Sequence, residues 1–244
     1  MLRFDVITIF PDVFTAYFNE SILRRAREKK LIDFKIWNLR DFAKDKHRKT
    51  DDRAYGGGPG MVMKIEPLVK VLEKIITPLI PLTLRGTKKK RSDSAPLKVR
   101  GAGRVMIIFL DAGGKQFDAS MAQSFSKKYK HIIFICGRYE GVDERIKKVI
   151  HASGFMLHEI SVGPYVLTGG ELPAMIMVDA ISRHIPGVLG KNESLEEKRY
   201  GVGVPAYTRP EVFKYKHKKY AVPKVLLSGN HKNIEIWRRK NKKS

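Results

Sequence analysis

The stretch "SVGPYVLTGGELPAMIMVDAIS", residues 161–182, carries two opposite kinds of signal. Val162, Val166 and Leu167 are strand-like, while Gly163, Pro164, Gly169 and Gly170 are turn formers. Glu171 and Pro173 then open an apolar run that predicts a helix. A glycine-broken loop feeding a helix brings backbone close to something. That something is a phosphate, another ligand or the chain itself.

Working outward, the same grammar recurs upstream. "RVMIIFL" (104–110) and "HIIFICG" (131–137) are uniformly apolar strands, and "GFMLHEISV" (154–162) is strand-like. Helical patterns separate them. "LRFDVITIF" (2–10) predicts a buried first strand, 12–29 a helix, "DFKIWNL" (33–39) a second strand and 66–77 another helix. Apolar strands alternating with helices predict an α/β domain with a mostly parallel sheet over residues 1–186. A basic insert without periodicity covers 85–104. Residues 187–208, punctuated by Gly and Pro, form a linker, and 209–244 a small basic helical domain.

Three glycine turns follow three of these strands: "LDAGGK" (110–115), "CGRYEG" (136–141) and "VGPYVLTGGE" (162–171). In a parallel sheet they meet along the carboxyl edge, where open α/β sheets bind ligands. The known phosphate-binding patterns are absent. No G-x-x-x-x-G-K-[ST] occurs, and Gly101 and Gly103 precede their strand. G-x-S-x-G and H-E-x-x-H are missing too. This disfavours a doubly wound nucleotide-binding enzyme and leaves a neutral or cationic ligand, such as an adenosine, as open as a phosphate.

Charge narrows the partners. The 244 residues carry a net charge of +23, with 43% hydrophobic residues to build a core. Residues 85–104 hold eight basic residues against Asp93 alone, and 214–244 hold eleven against Glu235 alone. Such clustering fits a polyanion, with Tyr215, Tyr220 and Trp237 placed to stack on bases or, for Trp237, to anchor a final helix. The single cysteine, Cys136, fits a reducing compartment and predicts a cytoplasmic protein. The N-terminal stretch, with Asp5 and Pro11 inside it, predicts no secretory leader, and no apolar run suits a membrane span. No Cys/His cluster has zinc-ligand spacing.

The segments "DDRAYGGGPGM", "CGRYEGVDER", "VGPYVLTGGELPAM", "DAISRHIPGVLG", "YTRPEVF" and "VLLSGNH" occur in this order. Together they resemble the bacterial tRNA (guanine-N1)-methyltransferase family, TrmD, of the knotted SPOUT methyltransferases. The resemblance runs from about residue 4 to 240. It implies a deep trefoil knot, S-adenosylmethionine as methyl donor, a homodimer, and methylation of the guanosine 3′ of the anticodon in tRNA. By position it implies a donor pocket of three loops. Phe109, Leu110 and Asp111 match the first, and Gly137, Arg138, Tyr139, Glu140 and Gly141 the second. Val162, Gly163, Pro164, Tyr165, Val166 and Leu167, with Gly169 and Gly170, match the third. Tyr139 and Tyr165 are read equally as ligand contacts or as rings that shape the loops.

Asp51, Asp52, Arg53, Tyr55, Gly57 and Gly58, in the long polar loop, are the candidates for the RNA side. Guanine N1 must lose a proton before it attacks, so a base is needed, and charge growing on O6 needs a cation. Arg183 aligns with the family's catalytic arginine. Where the family places its aspartate base this chain has Lys198, followed by Arg199 in place of serine. Glu197 and Glu196 are therefore the candidate bases, with Asp51 and Asp52 behind them. Pro164 stands where the family has aspartate, and the C-terminal domain (209–244), which the resemblance implies is tRNA-binding, is short for the family. Mg²⁺ is plausible from the resemblance, without a defined carboxylate cage. The alternative is a knotted, donor-binding RNA protein that has lost methyl transfer.

Overall fold

The computed structural model describes residues 1–79, 105–190, 195 and 203–242. They fall into two compact units, Met1–Val188 and Leu189–Ser244.

The first unit is a five-stranded sheet with helices on both faces. Its strands are β1 (Leu2–Thr8), β2 (Ile32–Asn38), β5 (Val105–Gln116), β6 (His131–Cys136) and β7 (Met156–Ser161). They lie in the order β2-β1-β6-β5-β7, and every neighbour pair is parallel. A short antiparallel pair, β3 (Asp51–Asp52) with β4 (Val62–Met63), stands apart.

Alternate residues of each strand feed two cores, as the two-residue period of a strand requires. Phe4 and Val6, Met106 and Ile108, and Ile132 and Phe134 face one side. There they meet α1 (Val13–Phe18), α2 (Ser21–Glu28), α4 (Ala119–Lys128) and α6 (Glu171–Arg183). Ile7, Ile107, Ile133 and Ile135 face the other side, against α3 (Ile65–Ile76) and α5 (Arg145–Ala152). Burial on both faces is why these strands are continuous apolar runs.

Two elements differ from expectation. The helix expected over 12–29 is two helices, broken at Asn19–Glu20, with Ser21 at φ 46°. Asn and Ser compete for backbone hydrogen bonds and are weak helix-interior residues. The turn expected at "DAGGKQFD" is instead a bulge inside β5. Leu110 and Lys115 both pair with Ile160, and the four residues between them are extruded. Gly114 permits this, since a Cβ there would lie 2.6 Å from the Glu159 carbonyl carbon.

The second unit also departs from the all-helical reading. A hairpin of β8 (Val212–Tyr215) and β9 (Lys218–Ala221) precedes α7 (Lys224–Leu227) and α8 (His231–Lys240). The alternation in "VFKY" and "KKYA" is the strand period, and Lys216 turns the chain at φ 53°.

One charged group is buried in the sheet. Asp5, fully enclosed, accepts hydrogen bonds from Trp37 Nε1 at 2.7 Å, from Arg3 Nε at 2.9 Å and from His131 Nε2. Burial alone raises the Asp5 carboxyl, but its bonds to His131, Arg3 and Trp37 outweigh it and hold the group below its ordinary range. The depressed folded value means stability is fully present above the unfolded carboxylate value of about 3.9 and is lost as pH falls through the folded one. Asp5→Asn, which keeps the shape and removes the charge, is expected to cost about 2–3 kcal/mol at neutral pH. It should also flatten the acid limb of stability against pH, as measured by denaturant melts from pH 7 to 3.

Candidate functional site

The site begins with a buried carboxylate. Glu171, the first residue of α6, is 3% exposed. Its Oε1 accepts from Thr8 Oγ1 at 2.7 Å, at the end of β1. Its Oε2 accepts from Arg138 Nε at 3.0 Å, just past β6. Thr8 Oγ1 in turn accepts from the Phe10 amide at 2.9 Å, and the Arg138 guanidinium lies 4.5 Å over the Phe10 ring. Glu171 makes no cap hydrogen bond at the start of its helix and ties three loops together.

The glycines around it serve close approach. Gly170 donates its amide to Gly137 O at 2.9 Å, and a Cβ on Gly170 would sit 2.7 Å from Cys136 Cα. A Cβ on Gly169 would meet Arg138 Nε at 2.2 Å. At Gly163 it would strike the Tyr165 ring at 2.3 Å, so that ring folds back over its own loop. Tyr139 takes a left-handed φ of 60°, and Gly141, at φ 126°, completes the second turn.

The polar loop docks on that second turn through main chain. Met63 N donates to Gly141 O at 3.0 Å, Glu140 N to Met61 O at 3.0 Å and Asp143 N to Met63 O at 3.1 Å. Gly60 presses against Glu140, whose carboxylate would be 2.4 Å from a Cβ there.

Together these loops enclose a cavity of about 1160 Å³. Of the expected donor-pocket residues, Phe109, Leu110, Asp111, Gly137, Tyr139, Glu140, Gly141, Val162, Tyr165, Val166, Leu167, Gly169 and Gly170 line it. Gly163 and Pro164 do not. Asp52, Arg53 and Tyr55 line it too, whereas Asp51, Gly57 and Gly58 do not. Arg183 is not among the lining residues, since it ends a thirteen-residue helix whose first residues border the cavity. Glu196, Glu197, Lys198 and Arg199 lie outside the described residues, as does the basic insert at 85–104.

The walls suit an adenosine. They combine apolar side chains (Leu110, Ile160, Val162, Val166, Pro173) with exposed main chain of glycine turns. Arg138 is engaged by Glu171, and Lys64 and Arg145 pair with Asp52 at 3.3 Å and Asp143 at 2.6 Å. The backbone bond from Arg53, with Lys64, holds the Asp52 carboxyl below its ordinary range, and Arg145 does the same for Asp143. Neither is poised to take a proton near neutral pH. Among the described residues no group of three or more His, Cys, Asp or Glu is set to hold a metal ion, so Mg²⁺ is assigned no ligands.

The comparisons with known proteins agree with this geometry. The family model described as tRNA (Guanine-1)-methyltransferase TrmD matches residues 2–244. The chain belongs to this family. It is 46% identical over 243 residues to a tRNA (guanine-N(1)-)-methyltransferase of Dictyoglomus turgidum, covering 98% of this chain and 84% of that relative. It is 44% identical over 241 residues to one of Clostridioides difficile, covering 98% and 91%.

Within the TrmD frame, Thr8, Phe10 and the linking role of Glu171 escaped the sequence reading. A strand-end threonine and a helix-start glutamate each look ordinary, and only the fold brings them within 2.7 Å.

Two alanine substitutions separate close approach from mere flexibility. Gly170→Ala drives a Cβ into Cys136 backbone and is expected to cost about 2–3 kcal/mol and to weaken any ligand of the cavity. Gly113→Ala, whose Cβ would meet nothing nearer than Asp111 Oδ1 at 3.6 Å, is expected to stay within about 0.5 kcal/mol of wild type. Thermal melts of both variants decide it.

Proposed function

We propose that this chain is a tRNA (guanine-N1)-methyltransferase that takes the methyl group of S-adenosylmethionine to N1 of the guanosine 3′ of the anticodon. One observation carries the reading: the glycine-bearing segments of β5, β6 and β7 wall a cavity of main chain and apolar side chains, and Glu171 ties the loop after β6 to the start of α6. The family match over residues 2–244 supports it.

The donor, bound there, supplies an electrophilic methyl on a sulfonium. The chain's own residues bind, orient and handle protons. Gly137 and Gly169 would offer backbone groups to the adenosine, Leu110 and Val162 would flank it, and the carboxylates that border the cavity would favour the cationic sulfur. On this reading β5, β6 and β7 with their loops belong to a trefoil knot.

Arg183 is proposed to hold the charge that grows on guanine O6. Along α6 it lies about 18 Å from the cavity end, given a rise of 1.5 Å per residue. A second copy resolves this distance. Leu172 and Ile176 are 55% and 46% exposed and share with Asp179 and Arg183 the stripe that recurs every three to four residues. Val13 and Tyr17 of α1 extend the apolar surface, with Tyr17 bonded to Asp179. Two copies packed on this face about a two-fold axis run their α6 helices antiparallel and bring each Arg183 towards the other's cavity mouth. Glu197 or Glu196 is proposed as the base that takes the N1 proton, next to Lys198. The enzyme is placed in the cytoplasm, where tRNA is modified. Among the described residues no helix is long and apolar enough to cross a membrane.

The test uses donor labelled on its methyl group and an unmodified tRNA transcript. Transfer is expected, and to vanish when the guanosine 3′ of the anticodon is replaced. Binding of the donor with no transfer to any tRNA would point to the alternative, a donor-binding RNA protein that has lost the chemistry. Arg183→Ala is expected to lower the transfer rate about 10²- to 10³-fold. Ile176→Arg is expected to yield monomers by sedimentation and to lose transfer with them. Transfer unaffected by Glu196→Gln, Glu197→Gln and their combination would exclude both as the base.

A further inference from the structure

The edge of the sheet opposite the cavity is where β2, β1 and β6 begin and where α2 and α4 end. Main-chain bonds knit it together: Leu2 N donates to Leu31 O at 2.9 Å and Arg3 N to Lys130 O at 3.0 Å. Lys29, Lys30, Lys127, Lys128 and Lys130 are all exposed along this edge. Two strand spacings separate the chain at Lys30 from the chain at Lys130, about 10 Å.

The nearby carboxylates are already engaged. Glu28 pairs with Arg24 at 3.8 Å, Asp33 with Arg27 at 3.7 Å, and Asp5 is enclosed beneath Arg3. Among the described residues, no carboxylate forms an ion pair with any of these lysines. Part of the pattern is ordinary, since the carbonyl end of a helix attracts cations and so accounts for Lys29, Lys127 and Lys128. Lys30 is different. Helix α2 closes with Leu31 N on Ala26 O at 3.0 Å and Lys30 N on Arg27 O at 2.8 Å, the paired bonds of a Schellman turn. The turn holds Lys30 at φ 55°, a left-handed conformation that glycine takes freely and a side chain resists. Lys130 stands outside any helix as well. A chain that keeps lysine where glycine fits, among like charges, retains that charge at a cost to its fold.

We propose that this edge binds the phosphate backbone of a second RNA helix, held in addition to the RNA whose nucleotide enters the cavity. Strand β1 runs about 20 Å from this edge to Thr8 beside the site, so an occupant here leaves the cavity mouth clear. The aromatic rings around the lysines, Phe34, Phe125 and Tyr129, are 8%, 6% and 2% exposed and cannot stack on bases. Lysines without rings suit a helix, whose bases are already stacked and whose phosphates face out, and they read no sequence. An anionic lipid surface would meet the same lysines. Leu2, Ala26 and Tyr129 among them are buried, however, and apart from Met1 the patch carries no apolar anchor. The inference rests on the proposed action on RNA, and its test is separable from that of methyl transfer.

The experiment uses the full chain and a labelled RNA duplex of arbitrary sequence, followed by fluorescence anisotropy in the presence of saturating unlabelled tRNA. Wild type is expected to bind the duplex with the tRNA in place. The variant Lys29→Gln, Lys30→Gly, Lys127→Gln, Lys128→Gln, Lys130→Gln is expected to bind it about tenfold or more weakly, with a salt slope smaller by about 0.9 for each lysine that meets a phosphate. Replacing the same lysines by arginine keeps the affinity. Lys30→Gly alone is expected to weaken duplex binding while melting no lower than wild type, which separates lost charge from lost folding. The KM for tRNA in methyl transfer is expected to stay within about twofold of wild type in every variant.

The inference is overturned if the multiple variant binds the duplex as wild type does, or if saturating tRNA expels the duplex from wild type. It is also overturned if the KM for tRNA rises as far as duplex affinity falls, because the edge is then only a share of the substrate's grip or of the net charge. Phosphatidylserine vesicles that bind wild type and not the variant, while the duplex does not distinguish them, decide for lipid and against RNA. Absence of methyl transfer to any tRNA sinks the proposed reaction alone, and duplex binding still decides the edge. Normal transfer by proteins that all bind the duplex equally sinks the edge inference alone.

Discussion

The buried carboxylate of Glu171 is the constraint on which the candidate site depends. Three strand ends in a parallel sheet are brought near one another by topology, but their loops are not thereby fixed. Glu171 fixes two of them to the start of a helix, through Thr8 and Arg138. A charge so enclosed is tolerable because each oxygen has a partner, one of them a cation. The Gly170 amide on Gly137 O adds a main-chain tie between that helix start and the loop after β6. The glycines follow from this tightness. With Cys136 backbone 2.7 Å from where a Cβ would stand, residue 170 has no room for a side chain.

Rigid loops and reacting groups are accordingly different parts of the chain. The described cavity walls provide shape, backbone polar groups and low polarity, which are means of binding. Two of the carboxylates that border them are held below their ordinary range by neighbours, Asp52 by the Arg53 amide and Lys64, and Asp143 by Arg145. Proton transfer on the proposed reaction is therefore assigned to neither of these two. The far end of α6 and the segment after Gly190 are where the candidates stand. A site assembled from distant groups excludes water and completes itself only when all its parts meet.

Much of the fold was legible because burial on both faces writes an unambiguous pattern. "VMIIFL" and "HIIFIC" contain no charged residue, and their order with intervening helices leaves little but a parallel sheet. The cavity's walls were legible in the same way, as three glycine turns after three strands. What could not be read depends on contacts distant in sequence. Thr8 and Glu171 are 163 residues apart, and nothing local distinguishes either. The bulge in β5 was mistaken for a turn because Gly113-Gly114 serves both, and only pairing with Ile160 tells them apart. The C-terminal hairpin was hidden by its lysines, which lower strand propensity and mask a short alternation.

Charge is distributed against the grain of the composition. In a chain of net charge +23, the cavity is bordered by six carboxylates, Asp52, Glu66, Asp111, Glu140, Asp143 and Glu144, against four cations. A surface built to attract a polyanion everywhere would draw phosphates into its own ligand cavity. An acidic mouth within a basic molecule prevents this. On the proposed reaction it would repel the backbone of an RNA while admitting a neutral base, and would favour a cationic sulfonium over the neutral thioether left after methyl transfer. The same carboxylates would then favour a charged donor, ease release of the spent one and keep phosphates at the rim.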